Sequence, residues 1–293
     1  MAFSFYPLPC KHASLSNCRY VIGTWFVKSL RETLVWTTNR NDVPLSSPSS
    51  IFLTNEGKFV LRVADNNDAP LVPDVNEAVS YAVMHDDGNF VLYASDSKIL
   101  WQSFDHPTDT ILRGQKLKDG VDHISSVSVF NQGSGKYKLS VNQNDGLVAI
   151  YKFRRLEHDE EASSLVVSKA FADSLSKPVT LNLDIGGNLY LVGSDNVVIR
   201  VLYESKTQQG EDTNVYIYRV KLNPNGHFNV YKERIDGMGD KKSVGVQLWS
   251  TYTFWTSDNI TYILLLTAFV ALIGACTWCG VKCKSAEELR RGL

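Results

Sequence analysis

The stretch HDDGNFVLY, residues 85–93, places polar side chains at alternate positions around a glycine turn. Asp87-Gly88 predicts a tight turn that leads into a strand, because glycine accepts positive φ and aspartate bonds to the nearby backbone. Side chains alternate between the two faces of a strand. One face then carries Phe90 and Leu92, and the other carries the row Asp87, Asn89, Val91 and Tyr93.

This row combines a carboxylate, an amide, a small apolar side chain and a phenol. The carboxylate and the amide supply acceptors and donors for a ligand rich in hydroxyl groups, and Val91 can touch the C–H face of a sugar ring. The alternative is a solvated strand face that binds nothing. The residues by themselves leave both interpretations open.

The chain has 293 residues, 44% of them hydrophobic and 21% charged. That length and composition suffice for about two domains with a buried core. The formal net charge is −1, and the sequence has no long basic run. Nucleic acid is therefore not an expected partner, because phosphate binding needs clustered Lys and Arg.

A glycine turn followed by a short strand recurs along the chain, which predicts a repeated all-β architecture. The five units are TNEGKFVLR (54–62), HDDGNFVLY (85–93), QNDGLVAIY (143–151), DIGGNLYLV (184–192) and NPNGHFNVY (223–231). Aromatic and β-branched runs at 20–27 and 33–37 predict a further hairpin. The charged stretch 154–164 predicts a solvated loop, and the widest gap between units indicates a domain boundary near Gly120.

Residues 260–281 are an uncharged run, long enough at about 1.5 Å per residue to cross a hydrocarbon core of about 30 Å. We predict a transmembrane helix, preceded by a linker at 249–259. The basic tail at 282–293 is expected in the cytosol and the earlier domains outside the cell. A buried core helix is the alternative for the span. Because the N-terminus lacks the features of a secretory leader, a tail anchor with cytosolic domains is the alternative orientation.

The five cysteines fall into two groups. Cys10 and Cys18 flank a polar loop and are candidates for a disulfide if that region is extracellular. Cys276, Cys279 and Cys283 lie at or past the end of the apolar run, where an inert role or S-acylation suits them better than redox chemistry. We expect neither a metal nor a cofactor.

Acid–base chemistry has one candidate group in FDHPTDT, residues 104–110. Asp105, His106 and Asp109 carry the required side chains. Asp, Pro and Thr packed together are more typical of capped turns. The sequence therefore predicts a protein that is not an enzyme.

Three segments in a fixed order resemble the bulb-type lectin domain of plant G-type lectin receptor-like kinases. They are VWTTNRNDVPLSSPSS (35–50), DDGNFVLY (86–93) and ILWQSFDHPTDTILRGQ (99–115). The resemblance implies tandem β-prisms, each made of three small antiparallel sheets. The first lectin domain is expected at 1–118, N-terminally incomplete, and a second, degenerate one at 119–248.

The family's mannose site follows the pattern Gln-x-Asp-x-Asn-x-Val-x-Tyr. By this resemblance the unit 85–93 supplies the carbohydrate-binding residues, with a histidine where the family has glutamine: His85, Asp87, Asn89, Val91 and Tyr93. The unit 143–151 keeps only part of the pattern, namely Gln143, Asp145 and Tyr151.

None of the kinase signatures of the family occurs in this sequence. The resemblance therefore implies a membrane-anchored lectin-like receptor without a kinase, at the plasma membrane, with mannose-type glycans as ligands and other membrane receptors as further partners. Two alternatives stay open. One is a recognition module that pairs with receptors without binding sugar, and the other is a partial gene model of a lectin receptor kinase.

Overall fold

A computed structural model of the chain describes most of the region before residue 252. The described residues are 1–9, 18–27, 33–46, 49–63, 68–118, 120–121, 123–142, 147–153, 161–168, 178–206, 216–234 and 245–251, with the backbone alone at 161–164. One compact unit is Met1–Trp249. Of the second, Ser250–Leu293, only residues 250–251 are described.

The described residues contain strands and one short 3₁₀ turn, Ser103–Asp105, so the all-β prediction is confirmed. The described part of the first half contains nine strands: β1 Ala2–Pro7, β2 Tyr20–Phe26, β3 Thr33–Thr37, β4 Ser49–Leu53, β5 Phe59–Val63, β6 Asp68–Pro70, β7 Tyr81–Met84, β8 Phe90–Tyr93 and β9 Ile99–Gln102. They form three antiparallel sheets of three strands each, in the orders β1-β2-β3, β4-β5-β6 and β7-β8-β9.

Twelve strands are described in the second half: β10 Thr110–Leu112, β11 Lys116–Leu117, β12 His123–Ser128, β13 Asn131–Val141, β14 Val148–Phe153, β15 Glu161–Ser168, β16 Val179–Leu183, β17 Leu189–Gly193, β18 Val198–Tyr203, β19 Tyr216–Leu222, β20 Phe228–Arg234 and β21 Val246–Ser250. They form three sheets of four strands each, in the orders β12-β13-β14-β15, β11-β16-β17-β18 and β10-β19-β20-β21. Three sheets in each half is the number that two prisms require.

The extra strand of each second-half sheet comes from one stretch, residues 110–128, which contributes an edge strand to each sheet in turn. β10 pairs with β19, and β11 pairs with β16. Ile111 and Leu117 enter the second-half core and are fully buried. Burying such a side chain contributes about 1.5–3 kcal/mol, so these two short strands are well anchored.

Two further clusters complete the core, one within the first half and one between the two halves. One surrounds the stacked rings of Phe3 and Phe90, whose centroids are 3.8 Å apart, and includes Trp36 and Trp101. The other packs Phe26 and Val35 of the first half against Leu112 and Ile217 of the second. The expected core face of β8 is confirmed, because Phe90 and Leu92 are both buried.

Arg40 connects the two halves through its guanidinium group. The group donates to the backbone carbonyls of Ile124, Ser125, Gln132 and Gly133, at 2.8 to 3.4 Å. A planar guanidinium presents five N–H donors in a fixed geometry, which suits several carbonyls of one hairpin. Arg40 therefore fastens the β12–β13 hairpin to the loop that follows β3.

Several local predictions can be compared with the structure. The hairpin at 20–27 and 33–37 is confirmed by the antiparallel pairing of β2 with β3. The solvated loop predicted at 154–164 is wrong for 161–164, which pair with β14 as the start of β15; residues 154–160 lie outside the described residues. The boundary at 118 stays a prediction, although β10 and β11 before it pair with second-half strands.

Two predictions concern residues at or beyond the edges of the described regions. Cys18 is buried and disulfide-bonded, whereas Cys10, its predicted partner, lies outside the described residues. The predicted transmembrane span at 260–281 also lies outside them. Where the structure does describe the chain, it contains no helix long and apolar enough to cross a bilayer.

Candidate functional site

The β7–β8 hairpin positions the predicted polar row. Met84 faces Phe90 and Val83 faces Val91, and the His85 N–H donates to the Asn89 carbonyl at 2.9 Å. The turn between them needs Gly88, whose φ is +98° and whose missing Cβ would otherwise lie 2.5 Å from a Leu112 methyl carbon. This register places His85 and Asn89 side by side at one end of the hairpin.

Asp87 and Asn89 are tied together at the turn. The Asn89 backbone N–H donates to Asp87 Oδ1 at 2.9 Å, which is the local side-chain bond that makes aspartate favourable in turns. Within the described part of the chain, Asp87 engages no other group through a side-chain hydrogen bond or ion pair. Its second carboxylate oxygen, Oδ2, is an acceptor available to a ligand.

The Asn89 side chain is held by the segment that follows β9. Its Nδ2 donates to Gln102 Oε1 at 2.9 Å, and its Oδ1 accepts from Ser103 Oγ and the Phe104 N–H, both at 3.2 Å. Only 9% of Asn89 is exposed. The solvated-face alternative is therefore wrong at this position, because the amide is buried and fixed in orientation. The second N–H of Nδ2 bonds to none of the described residues and can be donated to a ligand.

Gln102 extends this arrangement toward the surface. Its Nε2 donates to Asp105 Oδ2 at 2.7 Å, and Lys118 Nζ lies 3.3 Å from Asp105 Oδ1. Sequence reasoning missed Gln102 and Ser103 as supports of Asn89. The signal was present, since both belong to the WQSFDHPTDT run, but only the pairing of β9 with β8 brings them beside Asn89.

Tyr93 closes the other end of the row. Its hydroxyl lies 2.8 Å from His85 Nε2, and its ring stacks on Tyr81 with centroids 4.9 Å apart. Tyr81 in turn donates to Ser97 Oγ at 3.1 Å. Val91, between Asn89 and Tyr93 on the same face, is 1% exposed. The structure thus brings His85, Asn89, Val91 and Tyr93 onto one face of the hairpin, with Asp87 bonded beside them at its turn.

The partial site in the unit 143–151 is described only at one residue. Tyr151 is half-buried on β14, where it faces Lys138 and Ser164. Gln143 and Asp145 lie outside the described residues. Their carbohydrate-binding role stays a prediction.

The three residues considered for acid–base catalysis each make a separate structural contact. Asp105 bonds to Gln102 and Lys118, whereas the His106 ring stacks on Trp101 with centroids 5.1 Å apart. Asp109 is buried, accepts from Thr110 Oγ1 and lies 3.1 Å from Lys221 Nζ. Burial is the largest single influence and raises the pKa of Asp109, but the charges of Lys221 and Arg40 outweigh it and hold the pKa below its usual value.

The family model of D-mannose binding lectins matches residues 33–130. A G-type lectin S-receptor-like serine/threonine-protein kinase of Oryza sativa subsp. indica is 29% identical over 221 residues, 72% of this chain and 26% of the relative. One of Arabidopsis thaliana is 26% identical over 242 residues, 77% of this chain and 27% of the relative. The chain thus spans about a quarter of the length of these curated relatives.

Solved lectin structures are also similar to the chain. A mannose-specific agglutinin from snowdrop (Galanthus nivalis) bulbs, complexed with methyl-α-D-mannoside, is 16% identical and has a TM-score of 0.30, covering 45% of this chain and 97% of its own. The fetuin-binding, two-domain lectin of Scilla campanulata is 15% identical, with a TM-score of 0.31, and covers 85% of this chain and 92% of its own.

Proposed function

Since the chain belongs to the plant bulb-type lectin family, which its residues 33–130 match, we propose that it is the carbohydrate-recognition part of a membrane-anchored receptor-like protein. The ligand class is the mannose-type glycan. The primary site is the row Asp87, Asn89, Val91 and Tyr93 with His85, and the partial site is Gln143, Asp145 and Tyr151. The protein acts by binding, without a cofactor and without catalysis.

One observation carries this proposal most directly. Three partners fix the Asn89 amide while it keeps an N–H to donate, and Asp87 keeps Oδ2 to accept, next to it on the same hairpin. Neighbouring hydroxyl groups of a sugar require such a donor beside an acceptor. Three or four net hydrogen bonds of about 0.5–1.5 kcal/mol each correspond to an affinity near millimolar after association costs.

The proposal predicts that Asp87→Asn weakens mannose binding by about tenfold or more without unfolding the protein. Asparagine keeps a side-chain oxygen for the Asn89 N–H and so preserves the turn, but it removes the negative charge that strengthens a hydrogen bond from a hydroxyl group. The measurement is an NMR titration with a mannose oligosaccharide. Unchanged affinity in Asp87→Asn would count against this site.

Asn89→Ala tests the amide, and it needs a structural control because three groups lose their partner. Asn188→Ala is that control, since Asn188 is also held by its neighbours, Asp184 and Ser205, in a unit to which we assign no sugar site. We expect both variants to lose stability of about 1–3 kcal/mol, and only Asn89→Ala to lose binding. Equal binding by the two variants would contradict the assignment.

The membrane part of the proposal places residues 260–281 in the bilayer and the lectin domain outside the cell, which suits the disulfide-bonded Cys18. Ala69→Thr creates a glycosylation sequon that begins at Asn67, and Ala69 itself is exposed. We expect an endoglycosidase-sensitive mobility shift in plant cells, and none with Ala69→Val. A folded Ala69→Thr protein that stays unglycosylated would contradict the extracellular orientation.

A second candidate function is a recognition module that pairs with other receptors without binding sugar. The burial of Val91, the residue that a sugar ring would contact, is the observation that favours it. Under this hypothesis Asp87→Asn has no effect on glycans, and a receptor co-purifies with the protein from plant membranes. Failure to retain any receptor would argue against it.

A further inference from the structure

The bond between His85 and Tyr93 is unusual because it joins two residues at opposite ends of the polar row. Along the face, Tyr81 and Tyr93 form one cross-strand pair, Val83 and Val91 the next, and His85 lies beside Asn89 at the far end. His85 Nε2 and the Tyr93 hydroxyl meet at 2.8 Å, with their rings at 64° to each other. Both side chains must lean inward across the valine pair to do so.

The burial of Val91 agrees with this geometry. Val91 has only 1% of its surface exposed, although it lies on the face opposite to the core residues Phe90 and Leu92. Cross-strand neighbours alone leave the outer face of a three-stranded sheet open to water. The His85–Tyr93 bridge crosses the Val83–Val91 pair on this face, and Gln102 of β9 lies beside Val91 on its other side.

Tyr93 is also held from its other side. Its ring stacks on Tyr81 at an interplanar angle of 15°, and the Tyr81 hydroxyl is fixed by Ser97. A rigid ring of this kind has few alternative positions. We therefore expect the His85–Tyr93 bond to open mainly by movement of the His85 side chain, which lies beside the turn.

We infer that His85 is a specificity-determining gate of this site, which closes the row by binding the Tyr93 hydroxyl over Val91 and which a ligand must displace. The inference rests on the proposed function. A ligand that enters competes with imidazole for the Tyr93 hydroxyl and must uncover Val91 before its ring can pack there. A ligand that makes only one new contact does not offset the loss of the His85–Tyr93 bond and is rejected. An extended mannose oligosaccharide makes several contacts and is selected.

The gate predicts a gain of affinity when it is removed. If only a fraction of molecules has the row open, the apparent dissociation constant is the intrinsic one divided by that fraction. His85→Ala opens the row without adding a donor, and we expect methyl α-mannoside to bind about three to ten times more tightly than to the wild type. His85→Gln opens the row and adds an amide, so its gain is expected to be equal or larger.

The bridge itself is tested without ligand by following the His85 ring nitrogens in ¹⁵N NMR spectra. Tyr93→Phe is expected to shift them, because it removes the hydroxyl partner, whereas His227→Gln, a histidine change in the last turn-strand unit, is expected to leave them unchanged. Ring nitrogens that do not respond to Tyr93→Phe would overturn the gate, whatever the binding data show.

Binding data then separate the two proposals. Tighter binding by His85→Ala, with His227→Gln equal to the wild type, supports the gate. Equal, measurable binding by His85→Ala and the wild type overturns the gate and leaves the sugar site standing, provided that Asp87→Asn weakens it. If no variant binds methyl α-mannoside or a mannose oligosaccharide, the proposed function fails and the gate fails with it.

Discussion

Replacing Arg219 by methionine is expected to destabilise the folded protein by about 3–5 kcal/mol. Arg219 Nε lies 2.5 Å from Glu233 Oε1, and the two side chains are only 9% and 2% exposed. The substitution leaves the Glu233 carboxylate buried without its cation, and the desolvation of that charge is no longer offset. It also removes the guanidinium from the Tyr231 ring, 4.2 Å away. Urea unfolding measures the loss.

The matched variants separate the ion pair from packing. Glu233→Met alone should cost a similar amount, because it leaves the arginine unpaired. The double variant Arg219→Met with Glu233→Met should recover most of the loss, since two apolar side chains need no counter-charge. Additive losses in the double variant would show that volume and shape, not charge, dominate at this position.

Acidification from pH 7 to pH 4 is expected to remove about 3 kcal/mol of stability through His123 alone. His123 is fully buried, and neither ring nitrogen makes a hydrogen bond within the described part of the chain. Burial lowers the pKa of His123 to about 4, with Asp109 opposing this and Arg40 adding to it. Between pH 6.5 and 4 the unfolded chain binds a proton that the folded chain does not, so stability present above pH 6.5 is lost as the pH falls.

The check is the free energy of unfolding of the wild type and of His123→Leu at pH values between 7 and 4. The free energy of unfolding of the leucine variant should fall less steeply as the pH is lowered, because the substitution removes the proton-binding site that distinguishes the folded state from the unfolded state. His106→Gln is the control, since His106 is exposed. A wild type and a leucine variant with parallel pH profiles would exclude His123 as the source.

Local features of the fold were predictable from the sequence because they depend on neighbouring residues. The Asp87-Gly88 turn and the alternation that buries Phe90 and Leu92 follow from residue types and strand geometry. Strand alternation predicted that Asp87, Asn89, Val91 and Tyr93 share one face, and the family resemblance added His85 to this row. The hairpin brings these five residues together.

The remaining features depend on contacts between distant segments, which residue types do not encode. The Asn89 amide is buried by Gln102 to Phe104, and no property of the unit 85–93 predicts that cover. The His85–Tyr93 bond requires the register of a hairpin, not a spacing in sequence. Arg40 reaches carbonyls more than about eighty positions away, so its partners become visible only in the folded chain.

The edge strand β10 also constrains how the protein reaches its native state. Thr110 pairs with Lys221, so this sheet joins positions roughly a hundred residues apart, and the chain between them must be ordered at an entropic cost before the pair forms. Proteins dominated by such distant pairings fold in about milliseconds to seconds, far more slowly than helical bundles. During synthesis, residues 110–112 emerge well before their partner strand does. Until β19 arrives, β10 lacks the strand with which it pairs, and this short stretch is a point at which the nascent chain is open to misassociation.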